Sequence, residues 1–115
     1  MASHEPRAGE VWDVDFDPRV GREQGGVRPA LVISNDTYNQ VPNGLHMVVP
    51  ITGTDRNIRV HLRINPPVGG LTKPSVIMCD HARTQSILRF QRRRGEVPAD
   101  MLQRVQQLVG ESIDR

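Results

Sequence analysis

The stretch Glu10–Phe16, EVWDVDF, alternates strictly. Trp12, Val14 and Phe16 fall on one side; Asp13 and Asp15, continued by Asp17, fall on the other. A period of two marks a half-buried strand, here with an acidic outer face. Asp17-Pro18 ends it, and DPRVGREQGG, residues 17–26, forms a loop longer than a hairpin needs; such loops often carry function. RPALVIS, residues 28–34, is a continuous apolar run and predicts a strand buried on both faces. NDTYNQVPNG carries turn chemistry and one helical turn. LHMVVPIT, residues 45–52, predicts the next strand, with an edge or a bulge at Pro50, which has no N–H to give.

Further along, NIRVHLRI alternates again. Ile58, Val60, Leu62 and Ile64 are expected inward, Arg59, His61 and Arg63 outward. A Pro- and Gly-rich loop leads to SVIMCD, another buried strand, and HARTQSILRFQRRRGEV should hold one or two more. From Pro98 the period changes: Met101, Leu102, Val105, Leu108, Val109 and Ile113 follow helical spacing, with Asp100 in the first turn. The fold class expected is therefore mainly β with a C-terminal α-helix, a small SH3-like barrel of strongly bent antiparallel sheet. Residues 1–8 read as a flexible N-terminal tail and residues 9–115 as a single domain. In such a fold the loops gather at one rim, bringing DPRVGREQGG, the end of VVPIT and the CDHART segment together.

The chain has 115 residues and few aromatics, so aliphatic side chains must fill the core, and an oligomer would help. No apolar stretch approaches the roughly 20 residues of a membrane span. No hydrophobic signal segment opens the sequence, and one cysteine, Cys79, fits a reducing, cytoplasmic setting. Charge is unevenly spread. Seven acids stand against four arginines from Met1 to Asp36, whereas eight arginines and Lys73 stand against Asp80 alone from Arg56 to Arg94. Arginine's planar fork suits phosphate, so a basic half facing a polyanion is one reading and a solvated surface the other.

Metal and cofactor sites are not expected. His4, His46, His61 and His81 are widely separated, no cysteine pair exists, and GREQGG lacks the sequel of a phosphate loop. Cys79, with His81 two residues on, reads as a buried inert thiol rather than a nucleophile. What remains is polar. Arg28 follows Gly25-Gly26, where the backbone can approach a ligand, and Pro29 biases it toward an extended conformation. Thr52 closes its strand before Gly53. Glu23 either pairs with Arg28 or serves separately; equally, Arg28–Glu23 is a plain ion pair and Thr52 a strand end. An arginine fork with a threonine hydroxyl suits a phosphodiester whose attack by a 2′-hydroxyl builds charge on phosphate oxygens.

The segments GEVWDVDFDP, GREQGGVRPALVISND, VVPIT and SVIMCDHART resemble, in order, those of the MazF/PemK toxins, the ribonuclease members of type II toxin–antitoxin systems. The resemblance implies the fold of the CcdB/PemK barrels and a homodimer. It also implies metal-independent, sequence-specific cleavage of single-stranded RNA, leaving a 2′,3′-cyclic phosphate and a 5′-hydroxyl. The family's catalytic arginine falls on Arg28, its threonine on Thr52 and its loop glutamate on Glu23. RNA contacts fall on Asn35, Asp80, His81 and Arg83, with Arg56 opening the basic segment; LRFQRRRGEV is assigned general RNA affinity. His81 stands where glutamine is common. The implied partners are single-stranded RNA and a MazE-like antitoxin, with neither membrane nor DNA. The alternative is a non-catalytic CcdB-like toxin that binds a protein such as DNA gyrase; a third reading is an inactive RNA-binding barrel.

Overall fold

A computed structural model describes residues 5–16, 26–35 and 44–113. It contains β1 (Glu10–Asp15), β2 (Val27–Val32), β3 (Leu45–Thr52), β4 (His61–Ile64), β5 (Ser75–Met78), β6 (Arg83–Ser86), β7 (Phe90–Glu96) and one helix, α1 (Ala99–Ile113). The seven strands form an antiparallel sheet in the order β4-β5-β3-β2-β1-β7, with β6 also on β3. The mainly-β class with a terminal helix is as expected. Closure is not: β4 and β7 end the path without pairing, so the sheet is not a closed barrel.

Strand β3 is the hub. Along Val48–Pro50 it pairs with β2; on its other side Leu45–Val48 pair with β6 and Ile51–Thr52 with β5. Pro50 therefore sits neither on an edge strand nor at a sheet margin. It is buried opposite Ala30, at the interval where β6 has ended and β5 has not begun. A residue without an N–H is tolerated where one flank needs no ladder bond.

The alternation in β1 sorts two apolar clusters onto opposite faces. Val11 joins Leu31, Val49, Ile51, Ile64 and Ile77 in a core that receives Val105, Leu108 and Val109 of α1. Trp12, Val14 and Phe16 join Ala30, Val32 and Val48 on the other face, against which Phe90 packs. The run RPALVIS is thus buried on both faces. Gln106 adds a tie by donating to the Ile33 carbonyl at 2.9 Å. Ile113 departs from the expected stripe: it is exposed, one turn past the last buried position of the helix.

Two other expectations change. Strand β4 begins only at His61, so Ile58 lies in a loop and is exposed rather than inward. The arginines of LRFQRRRGEV are not an open basic surface. β7 lies beside β1, and its arginines meet the acids there. Arg92 and Arg94 reach Asp13 at 3.3 and 3.2 Å and Arg93 reaches Glu10 at 2.9 Å, while Arg89, in the turn just before β7, approaches Asp15 at 3.9 Å. Buried Glu10 also accepts from the Arg7 amide and the Trp12 indole, so its carboxylate is satisfied. The acidic face of β1 and the arginine run of β7 neutralise each other.

His46 is fully buried on β3 against the Phe90 ring, 5.2 Å between centroids, and among the described residues neither ring nitrogen finds a partner in good hydrogen-bond geometry. Burial holds it below its ordinary value of 6.5, outweighing the opposing pull of Glu5 and of the nearby Gly44 and Pro6 carbonyls. A folded value below the unfolded one means the unfolded chain takes up the proton first. Stability is complete well above pH 6.5 and is lost as pH drops from there toward the folded value. Urea unfolding between pH 7.5 and 5 should show this loss, and His46→Gln should flatten it.

Candidate functional site

The sheet register alone assembles one group of side chains. The β2–β3 ladder runs Val32↔Val48, Leu31↔Val49, Ala30↔Pro50; continued one alternation further it sets Arg28 across from Thr52 on the same face. Thr52 pairs with Val76 of β5, Met78 shares the Val76 face, and Met78 pairs with His61 of β4. Arg28, Thr52, Met78 and His61 therefore share one face across four strands. They line a depression of about 250 Å³, together with Thr54, Arg56 and Ile58 from the β3–β4 loop and His81 from the turn after β5.

Local chemistry fixes each member. Gly26 has φ +75°, which only glycine adopts without strain, and its carbonyl accepts from the Phe16 amide at 2.9 Å. That bond closes the β1–β2 pair just before Arg28. The Thr52 hydroxyl accepts from the Thr54 amide at 3.3 Å, which leaves its O–H to donate into the depression. Asp55 clamps the following loop, accepting from Arg63 Nε at 2.7 Å and from the Asn57 amide at 2.8 Å. Its carboxyl is held below the usual range, chiefly by the Arg63 bond. Arg56 projects from this clamped turn. Lys73 lies over Gly53, where a Cβ would stand 2.9 Å from Lys73 Cε, so the glycine after Thr52 makes room for that side chain. A second depression, of about 280 Å³, opens on the far side of Arg28 and includes Lys73.

Of the residues singled out from sequence, Arg28, Thr52, Arg56 and His81 come together here, and Asp80 borders them. Asn35 lies beyond the opposite end of β2 and is exposed. Arg83 is on β6, its guanidinium 5.1 Å over the Phe16 ring. Neither lines the depression. Glu23, the rest of residues 17–25 and residues 36–43 of the NDTYNQVPNG turn lie outside the described residues. His61 and His81, separated along the sequence, are neighbours in the fold: their ring centroids are 6.3 Å apart, and His61 Nε2 is 2.7 Å from Asp80 Oδ1. Sequence reasoning placed His61 in an outward cationic row. Its side chain is 4% exposed, because the turn carrying Asp80 and His81 folds over it.

Cys79 is buried, and burial, reinforced by the Asp80 charge, pushes its thiol up to about 12. It is the inert thiol expected.

The family model that matches, PemK-like, MazF-like toxin of type II toxin-antitoxin system, spans residues 7–113. The crystal structure of MazF (Form-I) from Deinococcus radiodurans is 31% identical, with a TM-score of 0.86 over 98% of this chain and 100% of that one. In the MazE–MazF (Form-II) structure from the same organism the similar chain is 32% identical, TM-score 0.76, over 95% and 96%. An endoribonuclease from a mycobacterial species shares the fold at 20% identity, TM-score 0.75, over 96% and 92%. Among the described residues, no helix is long and apolar enough to cross a membrane.

Thiol titration checks the burial. Folded protein at pH 8 should leave Cys79 unmodified by a disulfide reagent over hours, whereas in denaturant one thiol should react within minutes.

Proposed function

Because the chain belongs to the PemK/MazF family of type II toxins, we propose that it is a metal-independent endoribonuclease that cuts single-stranded RNA at short sequence motifs. The observation that carries this reading is the placement of Arg28 and Thr52 on one face, lining one depression with Arg56 and His81. RNA brings its own nucleophile. As the 2′-hydroxyl attacks the adjacent phosphorus, charge grows on the phosphate oxygens. The Arg28 fork and the Thr52 O–H would stabilise that charge as fixed donors, and the 5′-oxygen would leave, giving a 2′,3′-cyclic phosphate and a 5′-hydroxyl. Arginine does not titrate near neutrality, so charge stabilisation is the role assigned to Arg28, with Glu23 as its partner or as a participant in proton transfer.

Arg56 and Arg83 would meet phosphates, and Asn35, Asp80 and His81 would read base edges. The MazE–MazF structures support an antitoxin of that kind as the neutralising partner, and a homodimer in the cytoplasm is the functional unit assigned here. The β7 arginines are left out, since their charge is met within the chain.

End-mapping of a mixed single-stranded RNA incubated in excess chelator tests the activity. Discrete cuts with cyclic phosphate ends are expected, and a 2′-deoxy substitution at the cut position should abolish that cut. Arg28→Ala should lower the rate by about 100-fold or more, as loss of one fixed donor does elsewhere; cleavage unaffected by it would remove Arg28 from the site. No cleavage of any RNA would return the reading to a protein-trapping toxin. Salt-dependent binding separates the two arginine groups. Arg56→Ala should reduce the slope of log affinity against log salt by about one, and Arg92→Ala should leave it unchanged.

A further inference from the structure

We propose that His61, Asp80 and His81 form a site for a divalent transition metal of the zinc class, and that filling it reversibly inhibits the chain. One donor atom from each of the three lies within 4.8 Å of the other two. His61 Nε2 and His81 Nε2 stand 2.7 and 3.7 Å from the same carboxylate oxygen, Asp80 Oδ1. Ligands on a tetrahedral zinc are about 3.3 Å apart, given bonds of about 2.0–2.1 Å. Small rotations of Asp80 and His81 would bring all three to that spacing.

The backbone needs no change. His61 is locked opposite Met78 in the β4–β5 ladder, and Asp80 and His81 follow β5 directly in a single turn. The His61 ring is buried in one pose, with Nε2 aimed at the cluster. Its other nitrogen, Nδ1, is buried and finds no hydrogen-bond partner among the described residues. Metal on Nε2 would leave a proton on Nδ1 with no acceptor, whereas a zinc-bound histidine ordinarily donates there. The site is therefore tuned for loose, exchangeable occupancy rather than for a permanent structural ion. Two imidazoles and one carboxylate select zinc, cobalt, nickel or copper over magnesium and calcium, which favour all-oxygen shells. Three protein ligands leave one coordination position open.

His61 and His81 line the same depression as Arg28 and Thr52, so a metal held by them would sit at its wall. A metal there would bind a phosphate oxygen itself, drawing it off Arg28, and would occupy His81 and Asp80. The inhibitory half rests on the endoribonuclease reading; metal binding does not.

Chelator-treated full-length chain titrated calorimetrically with zinc chloride should bind one ion per chain with a Kd in the micromolar range. Magnesium should give no heat at the same concentrations, and cobalt(II) should give the visible spectrum of a tetrahedral centre. His81→Ala and Asp80→Asn, each at a partly exposed position, should weaken zinc by at least tenfold. No zinc heat and no cobalt spectrum, or binding that neither substitution alters, would overturn the site. In the cleavage assay, zinc at tenfold over its measured Kd should slow cutting by at least fivefold, with recovery on adding chelator. Unchanged cutting with the site filled would overturn the inhibition. Absence of cutting in chelator, with zinc binding intact, would overturn the endoribonuclease reading and with it the inhibition, leaving the metal site standing.

Discussion

The ladder between β2 and β3, with Ala30 opposite Pro50, decides which side chains share a face. A slip of one residue would send Leu31 and Val49 out of the helix-covered core and would part Arg28 from Thr52. Both runs are buried on two sides, so such a slip would force side chains fitted to one face into the packing of the other and would carry the Arg28 charge away from the depression. The packing that holds the sheet in register is therefore the same packing that holds the two polar groups opposite each other. Gly26 and Gly53 flank the two strands: the first takes the positive φ that closes the β1–β2 pair, and the second makes room for the Lys73 side chain.

Electrostatics follows from topology in the same way. The composition shows an acidic first third and an arginine-rich middle, which suggests a basic face open to a polyanion. The chain order places β7 next to β1, and the two charge runs meet across one strand pair. Opposite charges at facing positions stabilise a sheet modestly and leave little field for a ligand. Arginines outside this arrangement, above all Arg56 on its Asp55-clamped loop, carry the charge that faces the depression.

Strands with a regular pattern were legible in the sequence. LHMVVPIT is β3 to the residue, and the alternation of EVWDVDF assigns Trp12, Val14 and Phe16 correctly to one cluster. Arg28 and Thr52 could be singled out because each lies within two residues of a glycine at a strand end. What could not be read was pairing between distant segments. Nothing local says that residue 61 lies opposite residue 78, so the His61–Asp80–His81 cluster was invisible and His61 passed for an outward residue. The loss of β4's first half has the same origin: alternation in Asn57–Val60 is real, but Asp55 draws the chain into a turn there, with Asn57 at φ 57°.

The central claim is that Arg28 and Thr52 act on one phosphate. A crystal structure of the chain with an RNA oligonucleotide carrying 2′-deoxyribose at the cut position tests it most directly. The account predicts the phosphate at that position within hydrogen-bond distance of both the Arg28 guanidinium and the Thr52 hydroxyl. An oligonucleotide seated along β7, or a scissile phosphate touching neither residue, would contradict it.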